Sequence, residues 1–167
     1  MFQGAETSPA GAGKNRLEIE FPLEHLRALV VTHVHIDHVG RIPWLLAAGF
    51  SGPVYCSAPT ALLLPSVLED ALKVGVTRNR ALIQQCLARL RAQLVAVPYN
   101  EWQTLPGKPG CTLSIRLQRA GHILGSAYVE CRVENGNRAQ TVVFSGDLGA
   151  PHAPLLAPPD TPHFADT

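Results

Sequence analysis

Hydrophobic positions fall along the chain in short runs broken by glycine, proline and small polar residues, and the period of each run predicts an element. Leu26 to Thr32 (LRALVVT) is compact, apolar and β-branched, which predicts a buried strand. Pro43 to Ala48 is apolar and helix-prone, with proline suited to a first turn and Gly49 placed as a stop. Pro53 to Ser57 (PVYCS) reads as a second strand, and Pro59 to Val74 as a helix ended by Gly75. Arg78 to Arg91 predicts a further helix, in which Ala81, Leu82, Gln85, Leu87 and Leu90 mix an apolar and a basic face. Gln93 to Val97 is a strand, and TLSIRLQ, SAYVECRV and QTVVFS are three more, with Asn135-Gly136 as a hairpin turn between the last two. Residues 1–16 are small and polar and read as a loop, while Leu17 to Leu23 is a short mixed stretch interrupted by Pro22. From Ala150 the chain is rich in proline (Pro151, Pro154, Pro158, Pro159, Pro162), which predicts an extended tail over 150–167. Alternating strands and helices followed by an antiparallel meander predict an α/β (α+β) fold, a mixed sheet covered by helices in layers.

Composition bounds this picture more than it refines it. A chain of 167 residues is the size of one domain, and 46% apolar with 16% charged residues excludes a disordered tail. Fourteen basic against thirteen acidic residues leave a net charge of +1, so any nucleic-acid surface would have to be local. Arg78, Arg80, Arg89 and Arg91 could touch phosphates, but a solvated helix face is the stronger reading. Cys56, Cys86, Cys111 and Cys131 form no CxxC pair and read as reduced core or strand residues in a reducing compartment. Residues 1–16 lack the apolar centre of a signal peptide, and no apolar run reaches the roughly 18 residues that span a bilayer. A cytoplasmic location, without a membrane, is expected.

The seven histidines change the picture, because four of them fall in two short motifs. Thr32-His33-Val34-His35-Ile36-Asp37-His38-Val39-Gly40 follows directly on the first predicted strand. In extended chain, residues two apart share a face, so His33 and His35 project together, which suits two imidazoles on one ion. Asp37 continues that face. His38 joins it only if the chain bends, and Asp37 is a good helix N-cap for such a bend, after which Asp37 and His38 could serve a second ion. Any one of these residues is more often structural than functional. Together, burying them without a metal would cost several kcal/mol in unpaired polar groups. The second motif, Ala120-Gly121-His122-Ile123-Leu124-Gly125-Ser126-Ala127, places a histidine in a loop whose glycines free the backbone, a natural third ligand for the ion of His33 and His35. In the third, Phe144-Ser145-Gly146-Asp147-Leu148-Gly149, an apolar strand ends in an aspartate that reads either as a turn residue or as a carboxylate bridging two ions. His25, His152 and His163 have no such context and are expected at the surface or solvated in the tail.

The ordered set THVHIDHVG, GHILGSA and FSGDLG resembles the metallo-β-lactamase superfamily. The GHxxGSA and FSGDxG wording is most similar to its β-CASP branch of RNA-processing nucleases, which holds RNase J and the cleavage-and-polyadenylation endonuclease. The resemblance covers residues 1–167 and implies the αββα sandwich of that family. It implies two zinc ions, one held by His33, His35 and His122, the other by Asp37 and His38, with Asp147 bridging. It also implies that a zinc-activated water cleaves RNA, with Asp37 and His38 closest to the chemistry.

Family members carry an Asp-Cys-Gly and further strands upstream. Downstream they carry a β-CASP domain and a final metal-binding histidine. None of these has a counterpart in 1–167, so the sequence is read as part of the family's domain, incomplete in its sheets and one ligand short. Two other functions share part of the pattern. Thioester or lactone hydrolases carry HxHxDH but seldom GHxxGSA. Scaffold subunits of polyadenylation complexes lose ligands that are kept here.

Overall fold

The computed structural model describes residues 19, 21–107 and 109–167. The loop expected over 1–16 lies outside the described residues, as does part of the stretch Leu17 to Leu23. Two sheets form. Strands β1 (Leu29–Val30), β2 (Val54–Ser57) and β3 (Leu94–Val97) make a parallel sheet in the order β1-β2-β3. Strands β4 (Trp102–Leu105), β5 (Cys111–Arg119), β6 (Ala127–Asn135) and β7 (Arg138–Phe144) make an antiparallel sheet in sequence order. Helices α1 (Ile36–Val39), α2 (Ile42–Ala47), α3 (Ala58–Gly75) and α4 (Arg80–Gln93) complete the elements of the described residues.

Alternation along the strands assembles the layers. Leu29, Val31, Val54 and Cys56 face the helices, where Leu46, Leu64, Leu68, Ile83, Leu87 and Leu90 close the larger core. Val30, Tyr55 and Val97 point the other way and meet Leu105, Ile115, Leu117, Ala127 and Val129 of the antiparallel sheet. The order is therefore helices, parallel sheet, antiparallel sheet. Among the described residues no helix covers the far face of the antiparallel sheet. There Arg116, Gln118, Tyr128 and Glu130 lie partly beneath the tail, with His163 against Glu130. The expected layered α/β fold is present as three of the four layers of the expected sandwich.

Local chemistry explains where elements depart from expectation. The strand expected over Leu26–Thr32 is reduced to two residues: the Leu26 amide turns back onto the Leu23 carbonyl at 3.0 Å, and among the described residues β1 pairs with β2 alone. Helix α4 starts two residues later than expected because Asn79 caps it, its Oδ1 accepting the amides of Ala81 and Leu82. Gly75 is the last residue of α3 rather than its stop. The hairpin between β6 and β7 turns on Gly136 and Asn137, with Asn135 paired to Arg138, one residue beyond the expected turn. Strand β4 was not expected.

The tail departs most. It is extended, as expected, but zipped to the sheet. The Asp160 amide donates to Arg119 O (2.9 Å), the Asp166 amide to Thr141 O (2.8 Å), and the Val143 amide to Thr167 O (2.8 Å). His163 keeps an exposed ring, yet its Nδ1 lies 3.1 Å from a buried Glu130 oxygen, so it is not simply solvated. His25 and His152 are exposed, as expected. All four cysteines are free, and burial pushes the Cys56 thiol up to about 12. No described helix is long and apolar enough to cross a membrane.

Candidate metal centre

The three motifs meet at the end of β1. The Thr32 carbonyl accepts the Ala127 amide at 2.8 Å, which fixes the first motif against the strand that follows the second. The Gly149 amide donates to Ala120 O at 2.8 Å, which fixes the third motif against the second. The two backbones pass so closely that a Cβ on Gly149 would overlap the Gly121 carbonyl, so only glycine fits there.

Extended backbone through His35 (φ −62°, ψ 144°) keeps His33 and His35 on one side, as alternation demands. The turn comes earlier than the expected bend at Asp37. His35 is the residue ahead of α1, and Asp37 lies in the helix's first turn without capping it. The helical turn brings His38 Nε2 to within 3.4 Å of Asp147, and Asp37 lies beside it, with Oδ2 3.6 Å from His38 Nε2.

The donor atoms converge in two groups. His33 Nε2 lies 3.2 Å from His35 Nδ1, and His122 Nε2 lies 3.1 Å from the same atom. Asp147 Oδ2 lies 3.7 Å from His33 Nε2 and 3.5 Å from His122 Nε2. One ligand atom from each of His33, His35, His122 and Asp147 falls within 4.8 Å of the others. Four donors at zinc-type bond lengths in a tetrahedron stand about 3.3 Å apart, and the four separations above, 3.1 to 3.7 Å, lie near that value. The second group is His38 Nε2, 3.4 Å from Asp147 Oδ1 and 3.6 Å from Asp37 Oδ2. All six residues singled out in the sequence are thus in one place, and Asp147 presents a different oxygen to each group.

Electrostatics favours the ligand state of His33. His33 is buried, and its pKa falls to about 4, through burial first and then the His38 and His35 imidazoles, with Asp147 pulling the other way. Its ring is therefore neutral at ordinary pH and offers a lone pair. Thr32 Oγ1 lies 3.2 Å from His33 Nδ1. That contact braces the ring at Nδ1 and leaves Nε2 directed at His35 and Asp147. Sequence reasoning did not find this partner, although a threonine directly before the first histidine was the signal for it. The arginines of α4 are exposed, and Arg89 donates to the Phe50 carbonyl at 3.0 Å, in keeping with a solvated helix face.

A model of the family described as the metallo-beta-lactamase superfamily matches residues 8–167. The chain is 38% identical over 168 residues to Ribonuclease TTHA0252 of Thermus thermophilus, covering 99% of this chain and 35% of that protein. It is 33% identical to the transcription termination factor FttA of Methanococcus maripaludis, covering 83% of this chain and 21% of that one. Integrator complex subunit 11 of Danio rerio is 31% identical, with 74% and 20% covered. The chain thus spans about a third or less of the length of these curated relatives.

Proposed function

The chain belongs to the metallo-beta-lactamase superfamily, and from that membership we propose that it carries the two-zinc centre of a hydrolase that cleaves RNA. The observation that carries the proposal is the division of labour at Asp147: Oδ2 faces His33 and His122, while Oδ1 faces His38. A carboxylate shared in this way suits two ions side by side. His33, His35 and His122 would hold one, Asp37 and His38 the other, and Asp147 both. A metal pair bound there supplies Lewis acidity for a phosphoryl group and acidifies water near neutral pH.

The remaining work belongs to the chain's own side chains. Thr32 Oγ1, 3.2 Å from Nδ1, orients the His33 ring. Asp37, partly exposed, would help orient the attacking water beside the metal pair. His38 Nε2 faces an oxygen of each of Asp37 and Asp147, so the three would share the second ion. The substrate reading leans on relatives named as a ribonuclease and a transcription termination factor. RNA as partner and four free cysteines fit a cytoplasmic setting.

The test is cleavage of labelled single-stranded RNA by the chain with and without zinc, beside DNA of the same sequence, a thioester and a lactone. Cleavage of RNA that a chelator removes and zinc restores is the expected result. Thioester or lactone turnover with RNA left intact would reassign the centre to small-molecule hydrolysis.

A further inference from the structure

The loop that carries His122 is held by hydroxyl groups that belong to no ligand set. Ser126 is buried, and its Oγ accepts two backbone amides, those of His122 (3.0 Å) and Ile123 (3.2 Å). The Ser126 amide returns to Ile123 O at 3.0 Å, so the loop closes on its own serine. Outside it, Ser57 Oγ and Thr60 Oγ1 both donate to the Gly125 carbonyl, at 2.6 and 3.0 Å, and Tyr99 Oη donates to the Ser126 carbonyl at 3.2 Å. Ser57 and Thr60 stand at the start of α3, where Ser57 is also the N-cap, so the loop is anchored to the helical layer. Gly125 has φ +85°, and a Cβ there would press on the Thr60 amide at 2.8 Å, so loop and helix start are in direct contact.

We propose that Ser126 is a positioning residue for His122, and that with the Ser57–Thr60 clasp on Gly125 it sets the affinity of the first metal site. The inference rests on the reading of His122 as a ligand in that site. His122 is the one histidine of the first group that comes from a different segment, so its place depends on the loop's shape rather than on the β1 register. Two part-buried amides satisfied by one side-chain oxygen hold the loop in this shape. Removing that oxygen leaves both donors unpaired and lets the loop relax, with Nε2 displaced from its 3.1 Å approach to His35.

The experiment is a zinc titration of the whole chain against a chromogenic chelator, for the unsubstituted chain, Ser126→Ala, the double variant Ser57→Ala/Thr60→Val, and Thr104→Ala. Thr104 has an exposed hydroxyl pair with Ser114 on the antiparallel sheet and serves as the control. Ser126→Ala is expected to weaken zinc about 10–100-fold, the usual effect of losing a group that orients a ligand. The double variant shifts in the same direction, and Thr104→Ala does not change. Cobalt-substituted Ser126→Ala shows weaker visible bands, a change of ligand geometry that simple loss of stability in a folded chain would not produce. If Ser126→Ala fails to fold, the double variant decides in its place. No zinc binding by the unsubstituted chain would overturn the metal reading and this inference together. Tight binding by that chain with equally tight binding by the folded variants would overturn this inference alone.

Discussion

The amide of Gly149 donates to the carbonyl of Ala120 at 2.8 Å, two residues beyond Asp147 on one side and two residues before His122 on the other. This bond sets the distance between Asp147 and His122. Gly149→Ala puts a methyl into the Gly121 carbonyl, and the backbones must separate. The expected outcome is a loss of about 2–4 kcal/mol in urea unfolding, with weakened zinc binding in whatever fraction folds. Unchanged stability and metal content would mean the two loops are not held as described.

Asp147 faces both donor groups, so its removal differs in kind from removal of a histidine. Asp147→Ala is expected to deplete both ions, whereas His38→Ala removes about one ion per chain and leaves the group of His33, His35 and His122 loaded. Metal analysis after gel filtration distinguishes the two patterns. Equal loss in both variants would argue against a shared carboxylate.

The site was more legible than the scaffold, for a physical reason. His33 and His35 share a face because extended chain alternates, and that rule needs no tertiary information. The helical turn at Asp37 and His38 was also readable, although placed late, since His35 rather than Asp37 precedes the helix. Strand β4 escaped because Trp102–Leu105 is short, half exposed, and paired only with β5, so packing rather than propensity makes it a strand. The tail's extension was legible, but its attachment was not, because prolines announce an extended chain without saying what it lies against. Its attachments, Asp160 to Arg119 and Asp166 to Thr141, span more than twenty residues. The clasp of Ser57 and Thr60 on Gly125 spans 68 and 65 positions and left no local trace.

The helical layer should tolerate little loss of volume. Leu87 is fully buried against the core of α3 and the parallel sheet, while Leu62 on α3 is 80% exposed. Leu87→Ala is expected to cost about 2–5 kcal/mol in chemical unfolding, and Leu62→Ala within about 0.5 kcal/mol. Because the cavity lies away from the metal centre, Leu87→Ala should keep its zinc stoichiometry in the folded fraction.

Acid should weaken the fold through Glu130. Its carboxyl is buried on the far face of the antiparallel sheet. Burial alone would raise its pKa, but hydrogen bonds from Arg116 and Gln118, the Arg116 charge and the His163 amide outweigh that and hold it below the usual carboxylate value. A depressed folded pKa means that the unfolded chain binds this proton more readily. The stabilisation is therefore present above the unfolded value near 4.5 and is lost as pH falls from there through the folded value. Glu130→Gln removes this proton linkage and should flatten the acid limb of the stability curve by up to about 1.4 kcal/mol per pH unit. Unfolding free energies between pH 3 and 7, read for both chains, provide the check (roughly the window in which carboxylates titrate). Parallel acid limbs would show that the Arg116–Glu130 pair carries no proton linkage and that acid acts elsewhere.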